Sequence, residues 1–275
     1  MKEYSTGSDS SMVSVIVPAY NCSDYIEDTI RTVAEQTYTN WELILVDDKS
    51  TDDTVARIQA VQKKLAAGTA SKIRLIEKTE DTGAADTRNT GISAARGRYI
   101  AFLDSDDLWH RRKLELELRF MKQCGAGFAF TAYHFGDENG RPTGKITRVP
   151  SRLTFRRALS RTVIFTSTVL LDTERIDRKL IHMPEIPSED TAMWWTILKS
   201  GVTAYGLDRP LATYRRHGGT LSSNKAEAVR RIWNLYRNVA DLSVPSSAAH
   251  LVCWAWNATM RRTIPDRARN HSSGR

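Results

Sequence analysis

The sequence has 275 residues, 41% hydrophobic and 26% charged, which is enough for a large folded domain and excludes a wholly disordered chain. No run of about 18 apolar residues occurs, so no transmembrane helix is predicted. The three cysteines, Cys22, Cys124 and Cys253, are odd in number and far apart, which argues against a disulfide framework or a zinc site and predicts a reducing, cytoplasmic location.

The charge is unevenly distributed along the chain. The formal net charge is +8, but residues 1–140 hold 17 Lys+Arg and 22 Asp+Glu, whereas residues 141–275 hold 23 and 10. A basic half attracts nucleic acid, anionic lipid headgroups or phosphorylated substrates, and it also fits a solvated face without a partner.

Strand-like and helix-like segments alternate through the first 110 residues. The predicted strands are the apolar, β-branched runs 13–20, 41–48, 72–77 and 98–104. Three helices are predicted between them: one with Ile26, Ile30 and Val33 on one face and Asn21 or Ser23 as its cap, one through STDDTVARIQAVQKKLAAG that ends at Gly68, and one through DTRNTGISAARG. This order predicts an α/β fold whose mostly parallel sheet is covered by helices.

Polar side chains follow three of these strands, at the rim where ligands of such sheets bind. They are Tyr20, Asn21, Asp47, Asp48, Asp104, Asp106 and Asp107. The stretch PAYNCSDY after the first strand has no glycine, and AGTASK lacks the GxxxxGK spacing. A dinucleotide-binding or P-loop protein is therefore excluded.

The stretch DSDD (104–107) places three carboxylates at the end of a buried strand. Carboxylates about 4 Å apart repel by several kcal/mol at an effective dielectric near 20, and a divalent cation would remove that repulsion. Oxygen ligands favour Mg²⁺ or Mn²⁺ over Zn²⁺. Alternatively, Asp106 or Asp107 caps the helix LWHRRKLELELRFMKQ; the stretch alone leaves both interpretations open.

Four motifs in order, VIVPAYN, LILVDDKSTDDT, DTGAADTRNTGISAARGRYIAFLDSDDLW and SEDTAMWWTILKSG, make residues 12–222 resemble the inverting family 2 glycosyltransferases, which have the GT-A fold. The resemblance implies a nucleotide-binding half (12–109) and a half with the acceptor site and the base (110–222). The DSD stretch is then the DxD-type metal motif of that family.

The resemblance also implies roles for individual residues. Asp190 is the catalytic base and Glu189 contacts donor or acceptor hydroxyls, although both also suit the positive end of a following helix. Asp104 and Asp106 bind Mn²⁺ or Mg²⁺, and His217 is a further metal ligand or diphosphate contact. The implied donor contacts are Pro18, Tyr20, Asn21, Asp47, Asp48, Arg88, Asn89, Asp104, Ser105 and Arg215, with Arg216 as the alternative to Arg215. Among them, Asp48 accepts a hydrogen bond from the uracil imide.

The expected reaction is transfer of one hexose or N-acetylhexosamine from a nucleotide sugar, in particular a UDP-sugar, to a hydroxyl. The Gln-x-x-Arg-Trp segment of processive members is absent. Resembling bacterial enzymes build O-antigen, capsule or other exopolysaccharide repeats on a polyprenyl-diphosphate lipid, which implies such an acceptor. Three other functions fit the sequence less well. A nucleic-acid-binding protein is opposed by the carboxylates, which would repel phosphate, and an inactive glycosyltransferase-like binding protein is opposed by the presence of both DSD and SED. A sugar-nucleotide nucleotidyltransferase is opposed by the lack of a glycine-rich loop after the first strand.

Residues 223–265 form a basic, Trp-rich helical extension in this prediction. KAEAVRRIWNLYRNVADL places Val229, Ile232, Leu235, Tyr236 and Val239 near one helical face, and SSAAHLVCWAWNATMRRTI is apolar with flanking arginines. This composition suits either peripheral contact with the inner face of the plasma membrane or packing on the catalytic domain. Residues 1–11 and 266–275 are expected to be disordered tails.

Overall fold

The computed structural model describes residues 11–216 and 225–263. The predictions for His217 and for most of the two tails concern residues outside these ranges. The strands are β1 (Val13–Ala19), β2 (Trp41–Asp47), β3 (Ile73–Glu77), β4 (Tyr99–Phe102), β5 (Leu108–Trp109), β6 (Phe128–Gly136), β7 (Pro142–Thr147), β8 (Arg152–Leu153), β9 (Leu170–Asp172) and β10 (Ala204–Arg215). The helices are α1 (Ile26–Ala34), α2 (Thr54–Lys64), α3 (Ala67–Ala70), α4 (Ala84–Ala94), α5 (Lys113–Cys124), α6 (Phe155–Ala158), α7 (Glu189–Lys199), α8 (Lys225–Asn238) and α9 (Val244–Thr263).

The strands form one sheet in the order β3-β2-β1-β4-β9-β6-β10-β5, with β7 beside β6 and β8 beside β10. The strands β3, β2, β1 and β4 run parallel to one another, as predicted. The second half is mixed, because β9 runs antiparallel to both β4 and β6 while β6 and β10 are parallel. The α/β prediction is confirmed. Antiparallel strands β7, β8 and β9 come from the half of the chain in which no strand was predicted, and β5, antiparallel to β10, forms where a helix was predicted to begin at Leu108.

Two hydrophobic cores cover the two faces of the sheet. Alternate residues of β1 serve different cores: Ile16 packs in one, and Val15 and Val17 pack in the other. Strands buried on both faces require continuous apolar runs, which is why β1 and β2 could be predicted from the sequence.

Three predictions about helix ends are wrong. Helix α1 starts after Tyr25 without a side-chain cap, since Asn21 Oδ1 instead accepts from Thr51 N–H at 2.8 Å and Ser23 N–H donates to Asp52. Helix α2 ends at Lys64, and Gly68 lies within the single turn of α3.

The C-terminal helices pack on the sheet domain. Ile232, Leu235 and Tyr236 of α8 belong to the larger core, and the Tyr236 ring stacks on Trp195 of α7 at 5.5 Å. Val229, predicted on the same face, is 41% exposed. Over the described ranges, no helix is long and apolar enough to span a bilayer.

Candidate active site

The DSDD loop joins β4 to β5 at the carboxyl end of β4. Asp104 and Asp106 are half-buried, whereas Asp107 is fully buried. Asp107 accepts from Ser167 Oγ at 2.5 Å and from Arg215 N–H at 3.2 Å. Burial, and then the charges of Asp104 and Asp106, raise the pKa of Asp107 well above its usual range. The proposed capping role is wrong for both Asp106 and Asp107, because Arg112 precedes the first turn of α5.

Arg215, at the end of β10, holds this loop in place. Its Nε donates to Asp106 O at 2.9 Å, its Nη1 donates to Glu138 O at 3.1 Å, and its Nη2 pairs with Asp28 at 3.3 Å. The side chain is 3% exposed. The direct donor contact predicted for Arg215 has no support in this arrangement, which instead gives the residue a positioning role.

Arg88, in α4, links the DSDD loop to the start of α7. Its Nη2 donates to Asp104 at 2.7 Å and its Nη1 donates to Glu189 at 2.9 Å. Burial alone would lower the pKa of Arg88, but the charges of Asp104, Glu189 and Asp190 raise it. One guanidinium therefore holds the predicted nucleotide side and the predicted base side of the site together.

Asp190 lies in the first turn of α7, as predicted. Its Oδ2 accepts from Thr166 Oγ1 at 2.8 Å, and its Oδ1 accepts from Thr191 N–H at 2.6 Å. Ser188, just before the helix, has a φ of 66°, a conformation that costs a non-glycine residue about 1–2 kcal/mol and that sets the direction in which α7 leaves the loop.

Asp47 and Asp48 end β2 at the same rim, and both are buried. Asp47 accepts from the Ser50 main chain and hydroxyl. Asp48 accepts from Lys78 Nζ at 2.8 Å, Thr82 N–H at 3.1 Å and Gly83 N–H at 2.8 Å. The Asp48 side chain is 4% exposed, and these contacts fix its orientation at the rim; its predicted contact with a uracil imide stays a prediction.

The remaining predicted donor residues fall into two groups. Tyr20 is 51% exposed and Pro18 half-buried at the end of β1, open to a ligand as expected for a base pocket. By contrast, both amide atoms of Asn89 bind the main chain of Met183, at 2.7 and 2.9 Å. Ser105 contributes its carbonyl to Thr29 Oγ1 at 2.8 Å. The donor contact predicted for Asn89 therefore lacks support, because its amide fastens the segment around Met183 to α4.

Three residues that organise the site were not identified from the sequence. Ser167 contacts the DSDD loop twice, through Asp107 and through Asp104 N–H at 3.1 Å, and Thr166 orients Asp190. Lys78 immediately follows β3 and pairs with Asp48 and Asp86, both at 2.8 Å. Its position after a strand was a usable signal, whereas TST (166–168) has no pattern that points to a site.

The donor set at the rim fits a hard cation. Within residues 11–216 and 225–263, no group of three His, Cys, Asp or Glu side chains is arranged to hold a metal. Mg²⁺ in enzymes is commonly held by one or two carboxylates, with phosphate oxygens and water completing the shell. Asp106 with Asp104 meets that requirement, and the contribution predicted for His217 falls outside the described residues.

Comparison with known proteins identifies the family of the chain. The model of the family described as "Glycosyl transferase family 2" matches residues 14–175. TuaG of Bacillus subtilis, whose name assigns it to teichuronic acid biosynthesis as a glycosyltransferase, is 40% identical over 252 residues, which cover 91% of this chain and 97% of TuaG. The Escherichia coli UDP-Glc:alpha-D-GlcNAc-diphosphoundecaprenol beta-1,3-glucosyltransferase WfaP is 36% identical over 228 residues, which cover 83% of this chain and 86% of WfaP.

Two solved structures share the fold. TarS 1-349 of S. aureus in complex with UDP-GlcNAc aligns with a TM-score of 0.65 at 22% identity, covering 89% of this chain and 71% of that one. The mannosyltransferase PcManGT from Pyrobaculum calidifontis, in complex with GDP-Man and Mn²⁺, aligns with a TM-score of 0.64 at 20% identity, covering 93% and 76%. The chain belongs to glycosyl transferase family 2: it is a glycosyltransferase with the GT-A fold.

Proposed function

We propose that this enzyme transfers one hexose or N-acetylhexosamine from a UDP-sugar, with inversion and with a divalent cation, to a hydroxyl of a lipid-linked glycan during synthesis of a bacterial surface polysaccharide. The observation that carries the proposal is the Arg88 bridge, since it brings a metal-type carboxylate, Asp104, and the first turn of α7 into one site. The names of WfaP and TuaG support the substrate class and the pathway.

The leaving group is a diphosphate, whose developing charge must be neutralised. Asp106, with Asp104, would hold Mn²⁺ or Mg²⁺, and a bound cation supplies Lewis-acid stabilisation of the diphosphate oxygens. Arg88 is the buried cation beside this position.

The attacking hydroxyl must lose its proton as it bonds to the anomeric carbon. Asp190 suits this role because hydrogen bonds from Thr166 and Thr191 fix the orientation of its carboxylate at the start of α7. Glu189 is ion-paired with Arg88, whereas the hydrogen bonds to Asp190 come from the uncharged groups of Thr166 and Thr191, so we assign the base role to Asp190. One displacement assisted by one base inverts the anomeric configuration.

The exposed side of α9 supports contact with a lipid surface. Successive residues of a helix are 100° apart, and on this basis the exposed residues of α9 between 244 and 257 all fall on one half of the helix. None of these eight residues is charged: Val244, Pro245, Ala248, Ala249, Val252, Cys253, Ala255 and Trp256. We call this half the α9 outer face. Val252 is 70% exposed and Trp256 is 67% exposed, which is unusual for side chains of this kind unless something covers them.

Helix α9 packs beside a segment that follows two exposed arginines. Trp254 donates to Thr162 Oγ1 at 3.1 Å, and Asn257 donates to Ser160 O at 3.1 Å. Arg156 and Arg157 of α6 lie just before this segment in the sequence and are exposed. An exposed apolar helix face on a domain that also exposes arginines suits the anionic inner leaflet of a membrane, where a polyprenyl-linked acceptor would be found.

The test measures UDP release from a panel of UDP-sugars with Mn²⁺, first without acceptor and then with a GlcNAc-diphosphate lipid analogue. One donor is expected to be hydrolysed slowly without acceptor and to react faster with it. Chelator and Asp106→Ala should abolish both signals, while Asp190→Asn should retain UDP binding and lose transfer.

Asp208→Asn serves as the matched control, because Asp208 binds Arg148 and the main chain of Val149 away from the rim. It should leave UDP release unchanged. UDP release that is insensitive to chelator and to both site substitutions would refute the proposed mechanism.

A further inference from the structure

Four aromatic rings form one cluster above the rim: Tyr133 and Phe135 of β6, Phe165, and Tyr214 of β10. Ring centroids lie 4.7 Å apart for Tyr133 and Phe165, 5.1 Å for Phe165 and Tyr214, 5.7 Å for Phe135 and Tyr214, and 5.6 Å for Tyr133 and Phe135. Most of these contacts are tilted or edge-to-face, the arrangement that aromatic pairs prefer. We call this cluster the aromatic platform.

The platform is not part of the hydrophobic interior. All four rings are half-buried. As far as the structure describes the chain, Tyr133 packs on one core, whereas Phe135, Phe165 and Tyr214 pack on neither. Exposed aromatic surface that stabilises no core is expected where a ligand or partner covers it.

The platform connects the two sides of the active site. Phe165 precedes Thr166, which donates to the predicted base Asp190. Tyr214 precedes Arg215, which holds the DSDD loop. Burial, and then the charges of Asp107 and Asp106, raise the pKa of Tyr214, so this ring lies near the DSDD loop, and we expect a molecule on the platform to have its reactive end near the base and the departing diphosphate.

Two cations lie over the outer ring of the platform. Lys145 Nζ is 4.5 Å from the centroid of Phe135, and the Arg216 guanidinium is 5.6 Å from it. Both side chains are exposed. Within the described part of the chain, neither forms a salt bridge, so both charges are available to an anion.

From this geometry we propose, on the basis of the function proposed above, that the aromatic platform is the acceptor subsite and that it binds a sugar diphosphate. The C–H face of a pyranose ring carries partial positive charge and packs on the negative face of an aromatic ring. Lys145 and Arg216 bind the diphosphate of the acceptor. The donor diphosphate is a separate group, held at Arg88 and the DSDD loop.

The experiment is calorimetric titration of the full chain, with UDP and Mn²⁺ present, using two probes. The first is GlcNAc-α-diphosphate carrying a phenoxyundecyl chain, and the second is the GlcNAc glycoside of the same chain without diphosphate. Phe135→Ala should weaken both probes about tenfold, because it removes one of the four rings that form the platform. Lys145→Ala should weaken only the diphosphate probe, by about fivefold.

A second cation and ring pair on the same sheet provides matched controls. Arg152 lies 5.1 Å from the ring of Tyr205, near the opposite end of β10. Tyr205→Ala and Arg152→Ala should bind both probes within about twofold of the parent protein. Melting curves of all four variants verify folding.

Two results would overturn the subsite: Phe135→Ala binding both probes as the parent does, or the parent binding neither probe. A failure of the function proposed above is seen separately, because UDP release without acceptor does not involve the platform. If the parent releases UDP in a metal-dependent way and Phe135→Ala still binds both probes normally, then the acceptor subsite is wrong and the glycosyl transfer proposal stands.

Discussion

Arg88 is bonded to two carboxylates that are 16 and 101 residues away in the sequence. Its side chain is 10% exposed, so the two ion pairs are only weakly screened by solvent. Removing a buried partner leaves the remaining charges uncompensated, which costs more than the pair contributes when intact. Arg88 therefore sets both the geometry and the electrostatic balance of the site.

Arg88→Lys is expected to lower kcat at least about 100-fold, because the compact ammonium group lacks the planar fork whose two nitrogens reach Asp104 and Glu189 separately. Steady-state kinetics with the donor identified by UDP release, together with a thermal melt, measure the effect. Arg74→Lys is the control, because Arg74 lies away from the rim. There it forms an ion pair with Glu42 at a distance of 3.2 Å. A kcat of Arg88→Lys equal to that of the parent would mean that the bridge has no catalytic importance.

The carboxylates of the site were predictable from the sequence, but their partners were not. Asp48 and Asp104 follow apolar strands, and parallel strands bring their carboxyl ends to one rim. Ser167, which fixes the DSDD loop, comes from a segment 63 residues after Asp104. No local pattern encodes a contact over that distance, because it depends on β9 running antiparallel between β4 and β6.

At the scale of single elements, α5 contains an ion pair that the chain has removed from solvent. Lys113 Nζ lies 2.6 Å from Glu117, and both side chains are 0% exposed. Lys113 also lies over the ring of Trp109, at 4.4 Å. Burial lowers the pKa of Lys113 and raises that of Glu117, while each partner opposes the shift of the other. Removing either residue would therefore leave a buried charge without its partner.

Glu117→Leu should lower the free energy of unfolding by about 3 kcal/mol, because it leaves a buried ammonium without its partner. The double substitution Lys113→Met with Glu117→Leu should recover most of that loss. Urea denaturation of both variants measures this, and Arg112→Ala, which breaks the exposed pair with Glu115 in the same helix, is the control. Equal losses in the single and double variants would contradict the expected coupling.

Helix α8 and helix α9 illustrate what sequence patterns can give at this scale. The spacing of Ile232, Leu235 and Tyr236 correctly predicted an apolar face, and the structure packs that face on the core. The sequence left open whether the extension packs on the domain or meets a membrane. Over residues 244–257, one side of α9 packs on the domain and the other side is exposed. The exposed side can therefore contact a membrane or another protein.

For the molecule as a whole, the α9 outer face predicts how the enzyme is positioned in a cell. Val252→Ser with Trp256→Ser should reduce co-sedimentation with vesicles of phosphatidylglycerol and phosphatidylethanolamine several-fold, since it removes the most exposed apolar side chains. Val229→Ser, which changes an exposed apolar residue of α8, is the control.

Unchanged vesicle binding by the double variant would refute the membrane role of the α9 outer face. If the double variant instead changes the sedimentation coefficient from dimer to monomer, with vesicle binding unaffected, then the face is a contact between two copies of the chain.

The short connection between α9 and Asp190 limits what the enzyme can reach. Thr162 is bonded to α9 and Thr166 to Asp190, and four residues span at most about 14 Å. Adding the roughly 10 Å width of a helix and the two hydrogen-bonded threonine side chains, the base lies within roughly 35 Å of a surface on which α9 rests. If α9 rests on the membrane as proposed, we expect the enzyme to act on glycans only a few sugars long, because a longer acceptor would place its free end beyond that distance from the bilayer.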